Sequence, residues 1–394
     1  MKKFSFVDLF CGIGGFHQAL SNIGGECLFA SDIDKDCQEV YYNNYGIKPF
    51  GDITKIDEKD VPYHDVLCAG FPCQSFSKAG NRLGFADKTK GTLFFDVIRI
   101  LNYCKPKYII LENVRNLISH DNGNTWNIIY NSLNEIGYNI SKTPVIFSPH
   151  YIGIPQHRER VFICGIRKDI GELPDFTFDY NNMPDCDIDS IFQNDDEIDN
   201  VEKYRLSSKY VEWIDNWNDF ISNIKCDKLP GFPIWSDYFN DNDDISDDNP
   251  KWKNDIILKN KNLYHNNKSF IDNWLIKAKT NSLFYGAKAK LEWQCGIDIS
   301  KPNIWENIMQ IRPSGLRVKQ SSYFPALVAM AQIPVIGKRK RYLTPRECAR
   351  LQSFPDSFIC ATDDKIAYKQ FGNSVNVKVV ELFAKYLFEK NIIT

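Results

Sequence analysis

A cysteine that could act as a nucleophile follows a short apolar run of the sequence. Residues 65–69, DVLCA, predict a buried strand, and GFPCQ at residues 70–74 comes directly after them. The proline before Cys73 restricts the backbone, which would hold the thiol in a defined place at the end of the strand. A thiolate is a strong nucleophile that can also leave again. A buried structural cysteine is the alternative, so the interpretation depends on the rest of the sequence.

Three carboxylates also follow predicted strands or short extended segments. Glu112 comes after the strand YIIL, Asp32 after the strand ECLFA, and Asp52 after a short segment. An acid at the carboxyl end of a parallel strand faces the ligand crevice. A carboxylate at the tip of the second strand is where a nucleoside ribose is held in dinucleotide-type folds, and Asp52 is suitably placed for an adenine amino group. The alternative for Asp32 is an ordinary N-cap of the next helix.

A glycine turn stands between the first strand and the first helix. Residues 4–10, FSFVDLF, predict a central strand, CGIGG at residues 11–15 follows, and residues 16–22 have helical spacing. Glycines let a ligand approach the backbone, and the helix N-terminus offers free N–H groups. The third glycine of a phosphate-cradling G-x-G-x-x-G is missing, which suits a nucleoside ligand without a pyrophosphate.

Two arginines and a helix-capping motif are the remaining local features of the sequence that suggest a structure or a role. QHRER at residues 156–160 places Arg158 and Arg160 on one face of an approaching strand, although a solvated surface is the alternative. TPRE at residues 344–347 predicts a capping box with Thr344 as the N-cap. Further helices are predicted over residues 93–104 and 124–136, the second ending before a C′ Gly137.

Composition limits the class of protein. With 394 residues, 25% of them charged and 43% apolar, the chain is long enough for two ordinary globular domains. It has neither a signal peptide nor a membrane-spanning apolar run, so we expect a cytoplasmic protein with reduced thiols. Only two of the twelve cysteines fall close together, so no metal site is predicted. The net charge of −2 does not by itself indicate a polyanionic partner.

The character of the sequence changes near residue 177. From there to about residue 340 Asn, Asp and Lys abound and no βα rhythm is visible, which predicts a second, irregular domain. The alternative is that much of this region, above all residues 237–249, is loop or partly disordered. We predict a catalytic and cofactor-binding domain at 1–176, a target-recognition domain at 177–364, and a C-terminal segment at 365–394 that returns to the first domain.

Six motifs in this order resemble those of the DNA (cytosine-5) methyltransferases of bacterial restriction–modification systems. They are DLFCGIGG at 8–15, GFPCQ at 70–74, ENV at 112–114, QHRER at 156–160, LTPRECAR at 343–350 and GNSV at 372–375. The resemblance covers residues 1–166 and 341–394, and the segment between corresponds to the family's variable recognition region. It implies an α/β, Rossmann-like S-adenosylmethionine-dependent methyltransferase fold with a seven-stranded mixed sheet, plus a smaller irregular target-recognition domain.

The resemblance also implies a reaction. Cys73 would add to C6 of a flipped-out cytosine, and Glu112 would donate a proton or a strong hydrogen bond to N3. Arg158 and Arg160 would stabilise the developing charge. The methyl group would pass from S-adenosylmethionine to C5. The loop at residues 74–87 would close over the base, with Ser77 facing the DNA backbone.

The same resemblance implies a set of cofactor residues. Asp32 would bind the ribose hydroxyls, although many relatives have Glu at this place, and Asn373, Ser374 and Val375 would close the pocket. The full set is Phe10, Gly12, Gly14, Asp32, Ile33, Asp52, Ile53, Pro72, Leu93, Asn373, Ser374 and Val375.

We expect duplex DNA as the substrate and a monomeric enzyme without a membrane partner. Arg312, Arg317 and Lys319 are predicted DNA contacts, because they are Gly- and Pro-punctuated cations near the end of the recognition region. Phosphate contact or mere surface is the alternative for them. A cognate restriction endonuclease would act on the same site without a stable complex.

Three other functions compete with this interpretation. A tRNA methyltransferase could be built on the same catalytic domain, but roughly 170 residues of recognition region favour duplex DNA. A binding module that lost its chemistry would not need Cys73, Glu112 and Arg158 together. A zinc deaminase requires a second cysteine after the P-C pair, and Phe76 stands there instead.

Overall fold

The computed structural model describes residues 3–72, 93–329 and 332–389. Within them the chain forms two compact units. The first contains the described chain up to Asp187, the segment Ala326–Ala329 and the described chain from Cys348; the second contains Ile188–Pro325 and the described residues of the stretch ending at Glu347. The predicted domains 1–176, 177–364 and 365–394 stay a prediction, because compactness alone does not define a domain.

The sheet of the first unit is mixed. Its strands within the described residues are β1 Phe4–Leu9, β2 Gly25–Ser31, β3 Val66–Ala69, β4 Tyr108–Val114, β5 Tyr138–Ile140, β6 Val145–Phe147 and β7 Arg160–Arg167. The order is β2-β1-β3-β4-β7-β5, and β6 also pairs with β7. The first four strands are parallel, and β7 is antiparallel to β4, β5 and β6. The predicted seven-stranded mixed sheet is confirmed.

Helices accompany the strands in the described parts of the chain. Those of the described residues are α1 Gly15–Asn22, α2 Lys35–Tyr45, α3 Leu93–Cys104, α4 Asn124–Glu135, α5 Ser208–Asn223, α6 Lys251–Asn266, α7 Lys268–Ala278, α8 Pro345–Leu351, α9 Asp364–Asn373 and α10 Val377–Glu389. Alternate residues of β1 face opposite sides of the sheet. Val7 and Leu9 share a core with Phe94 of α3, whereas Phe6 packs edge-on against His17 of α1. The sheet is therefore covered on both faces.

Backbone conformation explains where two of these helices end. Lys105 adopts a φ of 46° directly after α3, and Pro106 cannot continue a helix. After α4, Gly137 has a φ of 98°, which is the left-handed C′ conformation predicted for it. Both endings turn the chain back so that the following strand enters the sheet.

Burial fixes the strand that leads to Glu112. Ile109, Ile110 and Leu111 are completely buried, and each such side chain contributes about 1.5–3 kcal/mol. Gly165 of β7 lies opposite, and a Cβ atom there would come within 2.8 Å of Ile109 Cγ1. The backbone of β7 at Gly165 therefore packs directly against the side chain of Ile109, and β4 has little freedom to shift.

The second unit has a sheet of its own. Its strands are β8 Ile234–Trp235, β9 Lys290–Gln294, β10 Ile308–Arg312, β11 Gly315–Lys319, β12 Pro334–Ile336 and β13 Arg341–Tyr342, in the order β13-β12-β10-β11-β9-β8. Trp213, Trp217 and Phe220 of α5 and Trp274 of α7 belong to its core. The region lacks a βα rhythm, as predicted, but is more regular than its composition suggested. Its strands are too short for the alternation to stand out.

The acidic stretch of the second unit is a loop held by a lysine. Lys261 of α6 is 8% exposed, forms an ion pair of 2.8 Å with Asp244 and donates to the Asn242 carbonyl at 2.6 Å. One aspartate of this stretch, Asp244, therefore neutralises a buried cation of the same unit.

The predicted capping box of α8 is confirmed. The Glu347 N–H donates to Thr344 Oγ1 at 3.1 Å, and the Thr344 N–H donates to Glu347 Oε2 at 2.8 Å. Pro345 occupies the first helical position, where no N–H is needed.

Candidate active site

Glu112 lies near the carboxyl end of β4, where β7 passes beside it. The antiparallel register places Glu112 opposite Phe162 and Val114 opposite Arg160. Glu112 is 8% exposed, and its Oε1 lies 3.1 Å from Nε of Arg160. Burial raises the pKa of Glu112, and the positive charges of Arg160 and Arg158 oppose the rise. A carboxyl in this setting holds its proton to a higher pH than an exposed one.

The segment that leads into Cys73 faces the same place. Asn113 donates from Nδ2 to the Phe71 carbonyl at 2.8 Å. A Cβ atom built on Gly70 would lie 3.9 Å from Glu112 Oε2, so this carboxylate oxygen is directed toward the end of β3. The structure therefore brings the ENV motif and the start of the GFPCQ motif together. Cys73, Ser77 and the loop at residues 74–87 lie outside the described residues, and their roles stay predictions.

Other cysteines do not offer a ready thiolate. Among the described residues, burial is the main cause that raises the pKa of Cys11, Cys27, Cys37, Cys68, Cys104, Cys164, Cys186, Cys226 and Cys295. A raised pKa keeps a thiol protonated and weakly nucleophilic. These side chains behave as small apolar residues.

Arg158 is buried and bonded to the backbone of distant segments. Its Nη1 donates to the Leu327 carbonyl at 2.7 Å, and its Nη2 donates to the carbonyls of Gly372 and Ser374 at 3.0 and 2.9 Å. Burial lowers the pKa of Arg158, and the neighbouring Arg160 lowers it further. The predicted contact with cytosine stays a prediction. Its Nη2 holds two carbonyls of the C-terminal motif, which the sequence did not indicate.

The glycine turn is bonded to Asp32. The Gly12 N–H donates to Asp32 Oδ2 at 2.8 Å, and the Asp34 N–H donates to Asp32 Oδ1 at 2.8 Å. The N-cap of α2 is Asp34, whose side chain accepts from Asp36 and Cys37, so Asp32 does not serve as that cap. Burial raises the pKa of Asp32, and the two backbone hydrogen bonds oppose the rise. Asp32 is thus fixed at the mouth of the turn.

Tyr45 packs against the glycine turn, and it was not identified from the sequence. Its hydroxyl donates to the Gly14 carbonyl at 3.1 Å, and its ring stacks on His17 with centroids 3.8 Å apart. Gly14 has a φ of 87°, and a Cβ atom there would lie 2.2 Å from the Tyr45 ring. Only its place one residue before Gly46 in the sequence could have drawn attention to it.

The C-terminal motif meets the same turn. A Cβ atom built on Gly15 would lie 2.6 Å from Val375 Cγ2 and 2.9 Å from Ser374 Oγ. Asn373 is exposed at the end of α9. The structure therefore brings residues 374 and 375 against the glycine turn, as the sequence predicted for a shared pocket, while the bound ligand itself stays a prediction.

The remaining predicted cofactor residues lie along neighbouring segments. Phe10 follows β1 with a φ of 55°, which is uncommon for an aromatic residue. Ile33 is 73% exposed, directly after Asp32. Asp52 accepts from Thr54 N–H and Oγ1 at 3.0 and 2.8 Å, and these hydrogen bonds lower its pKa. Ile53 is buried, Leu93 begins α3, and Pro72 is exposed at the last described position before residue 73.

The predicted DNA contacts share one face of the second unit's sheet. Arg317 lies opposite Glu292 on one side and opposite Gln310 on the other. We call this surface the Glu292 face, and its residues are Glu292, Gln294, Gln310, Arg312, Arg317 and Lys319. Glu292 was missed, although the alternation of LEWQ at residues 291–294 would have placed it on a strand face.

The described residues offer neither a metal-binding cluster nor a membrane-spanning helix. In residues 3–72, 93–329 and 332–389 no group of three or more His, Cys, Asp or Glu side chains could hold a metal ion. Across this part of the chain, no helix is both long and apolar enough to cross a bilayer.

The sequence matches the protein family described as C-5 cytosine-specific DNA methylase over residues 4–389. The type II methyltransferase M.AluI of Cellulosimicrobium cellulans is 34% identical in an alignment that covers 96% of this chain and 90% of that relative. The type II methyltransferase M.HhaI of Haemophilus parahaemolyticus is 33% identical, with 96% and 92% covered. These alignments extend over nearly the whole of each protein.

A solved structure shares the fold. The Dnmt2 methyltransferase of S. pombe superposes with a TM-score of 0.53 over 98% of this chain and 99% of that chain. Its sequence identity is 19%, so this likeness concerns the fold alone. It confirms the predicted fold class, a mixed α/β sheet of the S-adenosylmethionine-dependent methyltransferase type.

Proposed function

Since the chain belongs to the C-5 cytosine-specific DNA methylase family and is a DNA (cytosine-5) methyltransferase, we propose that it transfers a methyl group from S-adenosylmethionine to C5 of a flipped-out cytosine. The cytosine lies within a specific short sequence of duplex DNA. The observation that carries this proposal is the setting of Glu112. Its carboxyl is buried, has a raised pKa and lies beside Arg160, next to the segment that precedes Cys73 in the chain.

The residues of the glycine turn fit S-adenosylmethionine. A Cβ atom on Gly12 would meet nothing within 4 Å, so the backbone is open to a ligand there. Phe10 holds a left-handed conformation that costs roughly 1–2 kcal/mol, and strain of this kind concentrates at binding sites. When bound, the cofactor supplies a methyl group activated by a positively charged sulfur. Asp32 would hold the ribose, and Asp52 and Ile53 would hold the adenine. The set also contains Phe10, Gly12, Gly14, Ile33, Pro72, Leu93, Asn373, Ser374 and Val375.

Cys73 begins the reaction. Cytosine is a poor nucleophile at C5, so its aromaticity must be broken first. The Cys73 thiolate forms a bond to C6, the electron pair of the C5=C6 double bond moves toward N3, and Glu112 donates its proton there. C5 becomes the nucleophilic end of an enamine. As C5 takes up the methyl group, the carboxylate of Glu112 takes the proton back from N3. A base then takes the C5 proton, the S–C6 bond breaks, and its electron pair returns to sulfur.

Glu112 and the two arginines have different electrostatic roles in the proposed mechanism. The raised pKa of Glu112 lets it carry a proton to N3, and Arg160 lies close enough to stabilise the carboxylate that remains. Arg158 adds positive charge from the interior and holds the carbonyls of Gly372 and Ser374. A contact of Arg158 with O2 of cytosine would require its remaining N–H groups. Arg160 is therefore the main donor in our mechanism.

The target base must leave the duplex before Cys73 can reach C6. Unstacking it costs a few kcal/mol. The loop at residues 74–87, with Gly80 and Gly84, would close over the flipped base, and Ser77 would face the DNA backbone. Arg312, Arg317 and Lys319 would contact the target. Because the two relatives are type II methyltransferases, we propose that methylation protects host DNA within a restriction–modification system.

Methyl transfer to two nucleic acids tests this function. The purified chain and S-adenosylmethionine with a tritiated methyl group are offered unmethylated duplex DNA or tRNA. We expect label on cytosine C5 of the duplex, loss of labelling to background with Cys73→Ala, and no loss with Cys226→Ala, a control at an exposed cysteine. A Cys73→Ala variant as active as the wild type would overturn the covalent mechanism. If only tRNA were labelled, the substrate would be RNA and the proposal of duplex DNA would be wrong.

A further inference from the structure

One carboxylate of the Glu292 face is shared by two arginines. Oε1 of Glu292 lies 3.3 Å from Nη1 of Arg312, and Oε2 lies 2.6 Å from both Nε and Nη2 of Arg317. Gln294 donates to the same Oε2 at 3.4 Å. The side chains of Glu292, Arg312 and Arg317 are 22–29% exposed, so the cluster is half-buried but open on one side.

The opposite side of these strands explains why the cluster stays in place. Leu291, Trp293, Leu316 and Val318 alternate with the polar residues and are buried in the core of the second unit. The backbone of β9 and β11 is thereby fixed, and Glu292 and Arg317 are paired across it by the register of the strands. Arg317 has thus lost much of its rotamer freedom before any partner binds.

The face carries more positive than negative charge. Lys319 lies two residues after Arg317 on the same strand face, and no hydrogen bond or ion pair within the described residues involves its amine. Burial lowers the pKa of Lys319, and the charges of Arg317 and Arg312 lower it further, whereas Glu292 raises it. The face therefore carries three cations and one carboxylate, and only the two arginines are paired with that carboxylate. The excess of positive charge favours an anionic partner.

The geometry of Arg317 selects among the parts of a nucleic acid. Glu292 occupies the edge of the guanidinium formed by Nε and Nη2. Nη1 and the outer N–H of Nη2 remain, and two parallel donors of this kind match O6 and N7 of guanine in the major groove. Lysine is a flexible point charge and suits a phosphate instead.

We propose that Arg317, held by Glu292, reads a guanine of the target sequence, and that Lys319 contacts a phosphate. Glu292 is a positioning residue in this scheme, because it acts through the arginine and touches no base. The inference rests on the proposed function and adds to it that the target motif contains a guanine recognised by the second unit. Arg312 shares the carboxylate and limits how far Glu292 can move.

Discrimination between duplexes tests the proposal. Once the wild-type motif is known, initial methylation rates are measured on the target duplex and on every single-base-pair replacement. We expect Arg317→Ala to reduce discrimination at one G·C pair by about 10- to 100-fold while other positions keep theirs. Glu292→Gln should reduce discrimination at the same pair by about tenfold and strengthen binding to non-target DNA, because it frees positive charge. A merely structural role for Glu292 would not produce that combination.

Two further variants separate base reading from charge. Lys319→Ala should weaken binding to all duplexes alike and reduce the slope of log K against log salt by about 1. Arg317→Lys keeps the charge and loses the paired donors, so it should lose discrimination but keep non-target binding. Glu306→Gln removes an exposed acid that pairs with Lys338 at 3.1 Å and should change neither quantity.

Each outcome has one meaning. If Arg317→Ala weakens every duplex equally, Arg317 contacts a phosphate and the proposal is wrong. Unchanged discrimination in both Arg317→Lys and Glu292→Gln would also overturn the proposal that Arg317 reads a guanine. In either case, methylation of the target by the wild type would leave the proposed function intact. A wild type that methylates no duplex would overturn the proposed function instead. Thermal unfolding of each variant identifies any that fail to fold, and Arg317→Lys then replaces Arg317→Ala.

Discussion

Glu112 and Glu347 each lie in the interior of one unit beside an arginine, but their surroundings differ. Glu347 and Arg341 are both completely buried, and the two guanidinium nitrogens donate to the two carboxylate oxygens at 2.9 and 2.8 Å. The carboxylate also accepts the Thr344 N–H at 2.8 Å. Glu112 meets Arg160 through a contact of 3.1 Å, and the pKa of Glu112 is raised.

The difference separates a structural pair from a reactive one. A carboxylate whose oxygens are bonded on all sides stabilises its own unit and has no lone pair left for a ligand. Glu112 lacks that full set of donors, so its charged form is costly and its proton is available. The same two residue types therefore serve different purposes, and the number of donors around the carboxylate decides which.

The largest expected effect comes from removing the proton of Glu112. Glu112→Gln should slow methyl transfer by about 10²- to 10⁴-fold, because an amide cannot donate a proton to N3. Its stability should not fall, since a neutral amide avoids the cost of burying a charge. Single-turnover rates and thermal unfolding measure the two quantities.

Glu159→Gln is the matched control for that variant. Glu159 precedes Arg160 and pairs with the exposed Arg115 at 2.5 Å, away from the proposed proton transfer. We expect its rate to stay close to that of the wild type. Equal losses in Glu112→Gln and Glu159→Gln would show that Glu112 has no special role.

Breaking the structural pair should affect stability instead. Arg341→Met leaves Glu347 buried without its partner and should lower the free energy of unfolding by about 3–5 kcal/mol. The double variant with Glu347→Leu should recover part of that loss, because no unpaired charge remains. Urea denaturation measures both. A single variant as stable as the double would remove the distinction between the two pairs.

The pH dependence of the wild type should follow Glu112. Above the pKa of Glu112 in the free enzyme, kcat/KM should fall about tenfold per pH unit, because the ionised form cannot donate. Since the folded pKa is raised above the unfolded one, the contribution of Glu112 to stability is greatest below the unfolded pKa and is lost as the pH rises through the folded pKa. If the Glu112→Gln variant still loses rate and stability over the same pH range, the group that titrates is not Glu112.

Arg160→Met should lower the free energy of unfolding less than Arg341→Met does. Arg160 lowers the pKa of Glu112, so its removal should move the alkaline limb of the rate profile to higher pH. Glu112 can then take up a proton instead of staying charged and unpaired, so the loss of stability should be smaller than in Arg341→Met. A limb that moves to lower pH would contradict the assignment.

Local motifs made much of the first unit predictable. The apolar run YIIL at residues 108–111 predicted β4 and therefore the position of Glu112 at its end. The capping box of Thr344 and Glu347 spans four residues, so both of its hydrogen bonds could be predicted from the spacing. Such features depend on neighbours in the chain, which a sequence displays directly.

Contacts between distant residues could not be predicted. Arg158 bonds to the Leu327 carbonyl, far along the chain, and nothing in QHRER indicates that partner. Glu292 meets Arg312 and Arg317 only because three short strands pair in one register. The assignment of Asp34 as the helix cap depended on which of two nearby carboxylates turned toward the Gly12 N–H.

Base-resolution sequencing of 5-methylcytosine tests the central claim most directly, that Glu112 drives methylation of duplex DNA. Unmethylated genomic DNA is treated with S-adenosylmethionine and either the wild type or Glu112→Gln. We predict 5-methylcytosine in one short motif for the wild type, and the same motif at no more than about 1% of that rate for the variant. A wild type that binds the cofactor but leaves no 5-methylcytosine, or a variant as fast as the wild type, would contradict it.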